Sequence, residues 1–362
     1  MNSAIAIQRT TSPRQRPGGG ELGFGRHFTD HMFLMDYDVE RGWHSPRVVP
    51  YGPLSLDPAA AGLHYGQTIF EGLKAFPDTQ GNIRVFRMND HLARLNESAR
   101  RVCIPPLDTD IVAQGVHALL DADRDWMPAG DGTSLYVRPL VFATEGFLGV
   151  RPSKSYIFVA FISPVGNYYA AGEGPVRIWV EQKRIRAAPG GLGAAKTAAN
   201  YAASLKAAEE AKARGYAQVL WLDAREHKWV EEVGTMNLFV RIGDEVVTPP
   251  LDDTLLAGVT RLSVLALLRD WGVKVTERRL SIDEIRAAQE NGTLREIFGT
   301  GTAAVISPVG ELGFESGPMT VGDGKTGDLA IRLRAAILDI QYGRVQDRFG
   351  WMREIPAFGK VA

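Results

Sequence analysis

The stretch Gly190–Tyr201, reading GGLGAAKTAANY, constrains this chain more than any other. Glycine or alanine at positions 190, 191, 193, 194, 195, 198 and 199 surrounds Lys196 with residues almost too small to shield it. They let another body come close to the backbone, and glycine permits the positive φ of a tight turn, so a flat ligand can lie there. A lysine amine held partly out of water loses its preference for the charged form, as a nucleophilic or Schiff-base lysine requires. The same residues also fit a solvated lysine in a flexible loop. A third reading is a phosphate-binding loop, because Gly190–Thr197 follows G-x-x-x-x-G-K-[ST] except that Ala195 replaces a glycine. Against it, such a loop follows its strand directly, whereas the apolar strand Val176–Val180 ends well before Gly190.

A chain of 362 residues can build two domains, and 45% apolar with 23% charged residues is an ordinary globular composition. A net charge of -1 gives no field to gather nucleic acid or an anionic membrane surface, so neither partner is expected. No run of about 18 apolar residues offers a transmembrane helix. The single cysteine, Cys103, excludes an internal disulfide and a cysteine-clustered metal site, and fits a reducing compartment; no metal is expected. Arg9, Arg14 and Arg16 in an acid-free N-terminus resemble a transit peptide, but Pro13, Pro17 and Gly18–Gly20 oppose the amphipathic helix it needs. Residues 1–22 read as a disordered tail on a cytoplasmic protein.

Short strands are expected at His31–Tyr37, Ile69–Phe76 and Ile83–Phe86, then a helix from an Asn89 cap to Val102 and another over Thr109–Asp121. Arg87, Arg94 and Arg101 recur on one face of the first helix, a pattern that by itself fits a solvated stripe. Strands Leu135–Thr144 and Tyr156–Ile162 lead to a Pro/Gly-rich connector, SPVGNYYAAGEGP, that marks a domain boundary. The domains expected are 23–164 and 176–362, with 165–175 as the loop between them. The second half alternates strands at Val176, Ala217, Leu238, Glu245, Arg295 and Ala304 with helices at Asn200–Arg214, Gly258–Trp271, Ser281–Glu290 and Gly327–Gln341. The Gly258 helix start offers backbone NH groups to an anion, and Ser281 with Glu284 forms a capping box. Glu231 and Glu232, entering a strand, fit either a solvated turn or an inward carboxylate.

FTDHM (Phe28–Met32), LHYGQTIFEGLKAF (Leu63–Phe76), HLARLNESA (His91–Ala99), SLYVRP (Ser134–Pro139), GGLGAAKTAANY, EVGTMNLF (Glu232–Phe239), LAGVTR (Leu256–Arg261) and FGTGTAAV (Phe298–Val305) resemble, in order, the branched-chain amino acid aminotransferases. That resemblance runs from Phe24 to the last helix. It implies an α/β (α+β) fold of type IV: a smaller N-terminal α/β domain, a larger C-terminal domain with a barrel-like core, and pyridoxal 5'-phosphate at the domain interface. It also implies a homodimer. Lys196 matches the lysine that joins the cofactor and later shuttles the proton, Glu232 the partner of the pyridinium nitrogen, and Tyr201 the donor to the ring's 3-oxygen. Arg94, Val259, Thr260 and Thr302 match the phosphate ligands.

For substrate, Tyr136 and the backbone of Thr302 and Ala303 match the receivers of the α-carboxylate. Phe24, Tyr65, Phe70 and Thr235 match the apolar pocket, Leu148 and Val150 a loop supplied by the partner subunit, and Arg138 the reader of glutamate's distal carboxylate. The implied activity is reversible transamination of leucine, isoleucine or valine with 2-oxoglutarate. D-amino acid aminotransferases and aminodeoxychorismate lyases share the core, but SLYVRP and LHYGQTIFEGLKAF side with the branched-chain group; a non-catalytic phosphate-ligand or nucleotide binder is the reading from another class. Where some members carry Cys-x-x-Cys after the GTA turn, this chain has Ala304 and Ser307, so that thiol switch is absent.

Overall fold

The computed structural model describes residues 5–17, 22–166 and 174–355. Its contacts divide the chain into two compact units: Met1–Ala170 with Ala195–Ala198 and Asp339–Ala362, and Ala171–Ala194 with Ala199–Leu338. The first unit begins with β1 (Ala6–Ile7), β2 (His31–Asp38), β3 (Gly42–Pro50), the short helix α1 (Ala61–His64), β4 (Thr68–Phe70), β5 (Leu73–Pro77) and β6 (Ile83–Phe86). Helices α2 (Met88–Arg101) and α3 (Thr109–Ala122) precede β7 (Ser134–Ala143) and β8 (Ser155–Val165). The second unit opens with β9 (Val176–Glu181), α4 (Ala198–Ala213), β10 (Gln218–Leu222), β11 (Val230–Val233), β12 (Met236–Ile242) and β13 (Glu245–Thr248). It continues with α5 (Val259–Asp270), β14 (Lys274–Glu277), α6 (Ile282–Glu290), β15 (Leu294–Gly301), β16 (Val305–Phe314), β17 (Gly317–Thr320) and most of α7 (Asp328–Gln341). The strand β18 (Met352–Ile355) returns to the first unit.

The first unit is one sheet in the order β1-β3-β2-β8-β7-β5-β6-β18, with β4 paired to β7. Helices α2 and α3 bury Leu92, Leu95, Val112, Val116 and Leu119 against Phe33, Ile69, Val137 and Phe158 of its strands. An Asp108 carboxylate caps α3, accepting from the backbone of Asp110 and Ile111 at 2.9 and 3.2 Å. The second unit's sheet runs β11-β10-β9-β16-β15-β12 and closes on itself because β11 also pairs with β12, leaving a six-strand barrel. Its core is Ile178, Val180, Leu220, Leu238, Val240, Ile297, Val309 and Leu312. Ser281 caps α6, accepting from Glu284 N at 3.0 Å, but the Glu284 carboxylate takes Arg278 at 3.1 and 2.6 Å, so only the serine half of the expected capping box forms among the described residues.

Several expectations need correction. Residues 5–17 are not a disordered tail: Ala6 and Ile7 pair with Arg47 and Val48, Thr10 N donates to His31 Nε2 at 2.9 Å, and Arg14 lies 4.3 Å from the Tyr51 ring centroid. The predicted strand Ile69–Phe76 breaks at Glu71–Gly72 into β4 and β5, because Glu71 turns inward to an ionic network. Asn89 does not cap α2, which starts at Met88 behind Arg87 in the left-handed conformation. Residues 339–355 and the lysine segment 195–198 count with the first unit, not with the C-terminal domain expected over 176–362. Most of the 165–175 connector lies outside the described residues.

Candidate active site

In the first unit the segment carrying Lys196 is gripped by its backbone from two sides. Lys196 N donates to Ser98 Oγ on α2 at 2.9 Å, and Phe70 N donates to Lys196 O at 3.1 Å. Thr197 forms an isolated bridge to Ile69. These contacts draw Ala195–Ala198 into the first unit. They leave the half-buried Lys196 side chain to extend beside Phe70, with Nζ 4.7 Å from the ring centroid. The backbone around Lys196 is therefore held in place and is not a loose loop.

The same Phe70 ring has Arg138 at 4.9 Å from its centroid, and Arg138 Nη2 donates to the Tyr136 hydroxyl at 3.1 Å. Both residues project from β7 at period two, so one face of that strand presents a buried phenol and a guanidinium together. Arg138 Nε is buried and has no hydrogen-bond partner among the described residues. Phe24 packs edge-on against Tyr136 at 4.8 Å between centroids. Gly72 makes room for this arrangement, since a Cβ there would overlap the Tyr136 hydroxyl. Phe24, Phe70, Tyr136, Arg138 and Lys196 are thus gathered in one unit.

Arg94, placed by its sevenfold repeat on a nominally solvated stripe, is instead tied inward. Its Nε and Nη2 donate to the two oxygens of fully buried Glu71 at 2.7 and 2.9 Å, and His91 Nδ1 donates to Glu71 at 2.9 Å. Burial by itself would raise the Glu71 pKa, but the Arg94 charge and the hydrogen bonds from His91 and Arg94 outweigh it and hold the carboxyl well below its ordinary range. Burial lowers the His91 pKa against the pull of Glu71, with the Arg94 and Lys196 charges acting in the same downward direction. His91, Arg94 and Ser98 share the inward face of α2, three and four residues apart.

In the second unit Glu232 is buried on β11, not in a solvated turn. Its Oε1 accepts from Leu256 N at 2.8 Å and Asn237 Nδ2 at 3.4 Å, and its Oε2 lies 3.3 Å from Arg186 Nε. Asn237 Nδ2 also donates to Leu256 O at 2.9 Å, which fixes the turn that enters α5. Gly258 permits the close approach, because a Cβ there would meet Asn237 Oδ1. The start of α5, at Val259 and Thr260, has no side-chain cap and no acidic residue in its first turn. Thr302 and Ala303 lie in the tight turn joining β15 to β16, Thr235 is exposed between β11 and β12, and Tyr201 is half-buried in the first turns of α4.

Tyr65, Leu148 and Val150 are not drawn into these clusters. They are 45, 64 and 85% exposed, and the Tyr65 hydroxyl donates to Leu148 O. Sequence reasoning missed Glu71, His91, Arg186 and Asn237. Only Glu71 carried a local signal, as a carboxylate directly after the apolar pair Ile69-Phe70 in TIFEGLKAF.

Residues 68–312 match the amino-transferase class IV family. The chain belongs to that family. It is 50% identical over 353 residues to branched-chain-amino-acid aminotransferase 2 of Bacillus subtilis, covering 98% of this chain and 97% of that one. Branched-chain-amino-acid transaminase 1 of the same organism is 51% identical over 356 residues, 98% of this chain and all of that one. Among solved structures, the Escherichia coli branched-chain amino acid aminotransferase aligns at a TM-score of 0.75 and 26% identity, covering 90% of this chain and 99% of that one. A T.th. branched-chain amino acid aminotransferase, solved with pyridoxamine 5'-phosphate, aligns at 0.73 and 26% identity over 90% of this chain and 98% of that one. As a class IV aminotransferase, this chain has the two-unit mixed α/β architecture of those structures. No helix among the described residues is long and apolar enough to cross a membrane.

Proposed function

We propose that this chain transfers the amino group of leucine, isoleucine or valine to 2-oxoglutarate, with pyridoxal 5'-phosphate as cofactor. The observation that carries the reading is half-identity, across nearly the whole of both chains, to two enzymes that bear this name. The residues present fit the cofactor. An uncapped, acid-free helix start at Val259–Thr260 suits a phosphate. A buried carboxylate, Glu232, and a half-buried lysine, Lys196, supply the ionic and nucleophilic groups that a pyridine aldehyde needs.

When bound, the cofactor supplies an electron sink that makes the α-hydrogen of an attached amino acid acidic. Arg94, the NH groups of Val259 and Thr260, and Thr302 would hold its phosphate. Glu232, fixed by Leu256 N and Asn237, would keep the proton on the ring nitrogen, and Tyr201 would donate to the 3-oxygen. Lys196 Nζ would take the α-proton and deliver it to the carbon on the other side of the amino nitrogen, its reach set by the backbone bonds to Ser98 and Phe70. Tyr136, with the backbone of Thr302 and Ala303, would receive the α-carboxylate; Phe24, Phe70 and Thr235 would enclose the aliphatic chain; Arg138 would meet the distal carboxylate of glutamate.

A homodimer and a cytoplasmic location complete the reading. The exposed group Leu63, Tyr65, Phe147, Leu148 and Val150 supports the dimer, as a surface for a second copy to cover. Single-turnover absorbance with L-leucine, L-isoleucine, L-valine, L-glutamate and D-alanine tests the activity. Amino transfer from the branched L-amino acids and glutamate is expected, and preference for D-alanine would move the chain to the D-amino acid branch.

A further inference from the structure

Glu71 is a fully buried carboxylate beside the lysine segment, and its carboxylate holds Arg94, a group that the reaction as described places on the phosphate. It occupies the break between β4 and β5, directly after Phe70, and accepts from Gly72 N at 3.1 Å as well as from His91 and Arg94. A charge buried to this degree persists only where it is paired and hydrogen-bonded on every side. The Glu71 carboxylate spans the Nε–Nη2 edge of Arg94 as a two-point fork, which sets both the plane and the direction of the guanidinium. His91, one helical turn before Arg94, braces the same carboxylate from the other side.

We infer that Glu71, braced by His91, is a positioning residue that fixes the Arg94 guanidinium for the cofactor's phosphate. The inference rests on the proposed role of Arg94. An unheld arginine on a helix surface samples many rotamers, and each phosphate it binds must then offset that loss of freedom. Held by Glu71, Arg94 meets the phosphate already oriented, so affinity is gained without a contact between Glu71 and the cofactor. The pairing also keeps the local charge balanced: Glu71 offsets Arg94 while His91, whose Nδ1 proton is committed to Glu71, stays neutral beside Lys196.

The test separates a grip on phosphate from a general structural role by comparing two ligands. The full chain, stripped of cofactor, is titrated with pyridoxal 5'-phosphate and with pyridoxal, which lacks the phosphate, and both dissociation constants are read from absorbance. For Glu71→Gln the constant for pyridoxal 5'-phosphate should rise about ten- to a hundredfold, while that for pyridoxal changes little. Equal losses for both ligands would overturn the inference, because Glu71 would then support the site as a whole; so would no loss for either. Arg94→Gln is the control for the underlying reading. If it loses no preference for the phosphorylated ligand, Arg94 does not hold the phosphate at all. If Arg94→Gln loses that preference and Glu71→Gln keeps it, the role of Arg94 stands and that of Glu71 falls. Should Glu71→Gln not fold, His91→Gln removes one brace and should show the same ligand-selective loss at a smaller size; a non-selective loss there overturns the inference equally.

Discussion

Arg138 reaches back along its own strand to donate to the Tyr136 hydroxyl, so a guanidinium and a phenol share one face of β7. In the proposed reaction the pocket that this pair faces must accept both an aliphatic side chain and a carboxylate. An apolar wall of Phe24 and Phe70 would strand the distal carboxylate of glutamate without a cation, and Arg138, with a buried Nε lacking a partner among the described residues, is placed to meet it. Arg138→Met should lower kcat/KM for glutamate and 2-oxoglutarate about ten- to a hundredfold, since a charged hydrogen bond contributes roughly 1.5 to 3 kcal/mol. Leucine should be nearly unaffected. Single-turnover kinetics of each half-reaction measure this, and equal losses for leucine and glutamate would show that Arg138 only supports the site.

Gly72 is the counterpart of that pair in the backbone. An alanine methyl there would push into the Tyr136 hydroxyl and swing the ring away from Arg138. Gly72→Ala should therefore raise KM for all amino acids while the cofactor stays bound. Unchanged KM values with a normal cofactor spectrum would refute this account of the glycine.

Borohydride treatment of the yellow holoenzyme should fix the cofactor on Lys196, the lysine held beside Phe70. Peptide mapping decides the matter. Label on buried Lys74 or on exposed Lys206 would remove Lys196 from its proposed role.

Glu231 provides a pH signature. Burial raises its pKa from 4.5 to about 7, against the Thr254 hydrogen bond and the Arg186 charge and with help from Asp252 and Glu232. Because the folded pKa lies above the unfolded one, the folded state keeps a proton that the unfolded state has shed between these values. The contribution of Glu231 to stability is then greatest below about pH 4.5 and is lost as pH rises to about 7. Glu231→Gln should remove that decline, gaining on the order of 2 to 3 kcal/mol over the parent between pH 5 and pH 8. Denaturant unfolding at both pH values, with saturating cofactor, is the measurement. A parallel shift at both values would contradict it.

Cys103 is exposed and is the single cysteine of the sequence, with Ala304 and Ser307 after the Gly301–Ala303 turn. Mild peroxide should not switch activity through an internal disulfide. Thiol-reversible inactivation of Cys103→Ser would sink this expectation.

How much of this was legible in the sequence varied with the range of the interactions. The Ser281 cap of α6 and the period-two placement of Tyr136 and Arg138 follow from neighbours a few residues apart, and the structure places them as the pattern implies. The Glu71–Arg94 fork joins residues on different elements, so Arg94 looked like one of a solvated arginine row. The order in residues 5–17 depends on the edge of β3 and on His31, and nothing within the segment announces either partner. Residues 195–198 count with the first unit and not with the C-terminal domain, because their partners Phe70 and Ser98 come from far earlier in the chain.

The outermost strands of the first unit's sheet, β1 and β18, come from opposite reaches of the sequence, and Ile83 on β6 waits for Ile355. During synthesis the free edge of β6 stays open while the whole of the second unit emerges and folds. An open edge is a template for pairing with other chains, and late, long-range pairing is slow. The vulnerable interval in this protein's life is therefore the one between the emergence of β6 and that of β18, and shortening β18 should first appear as lost yield in cells, before any change in the rate constants of the molecules that survive.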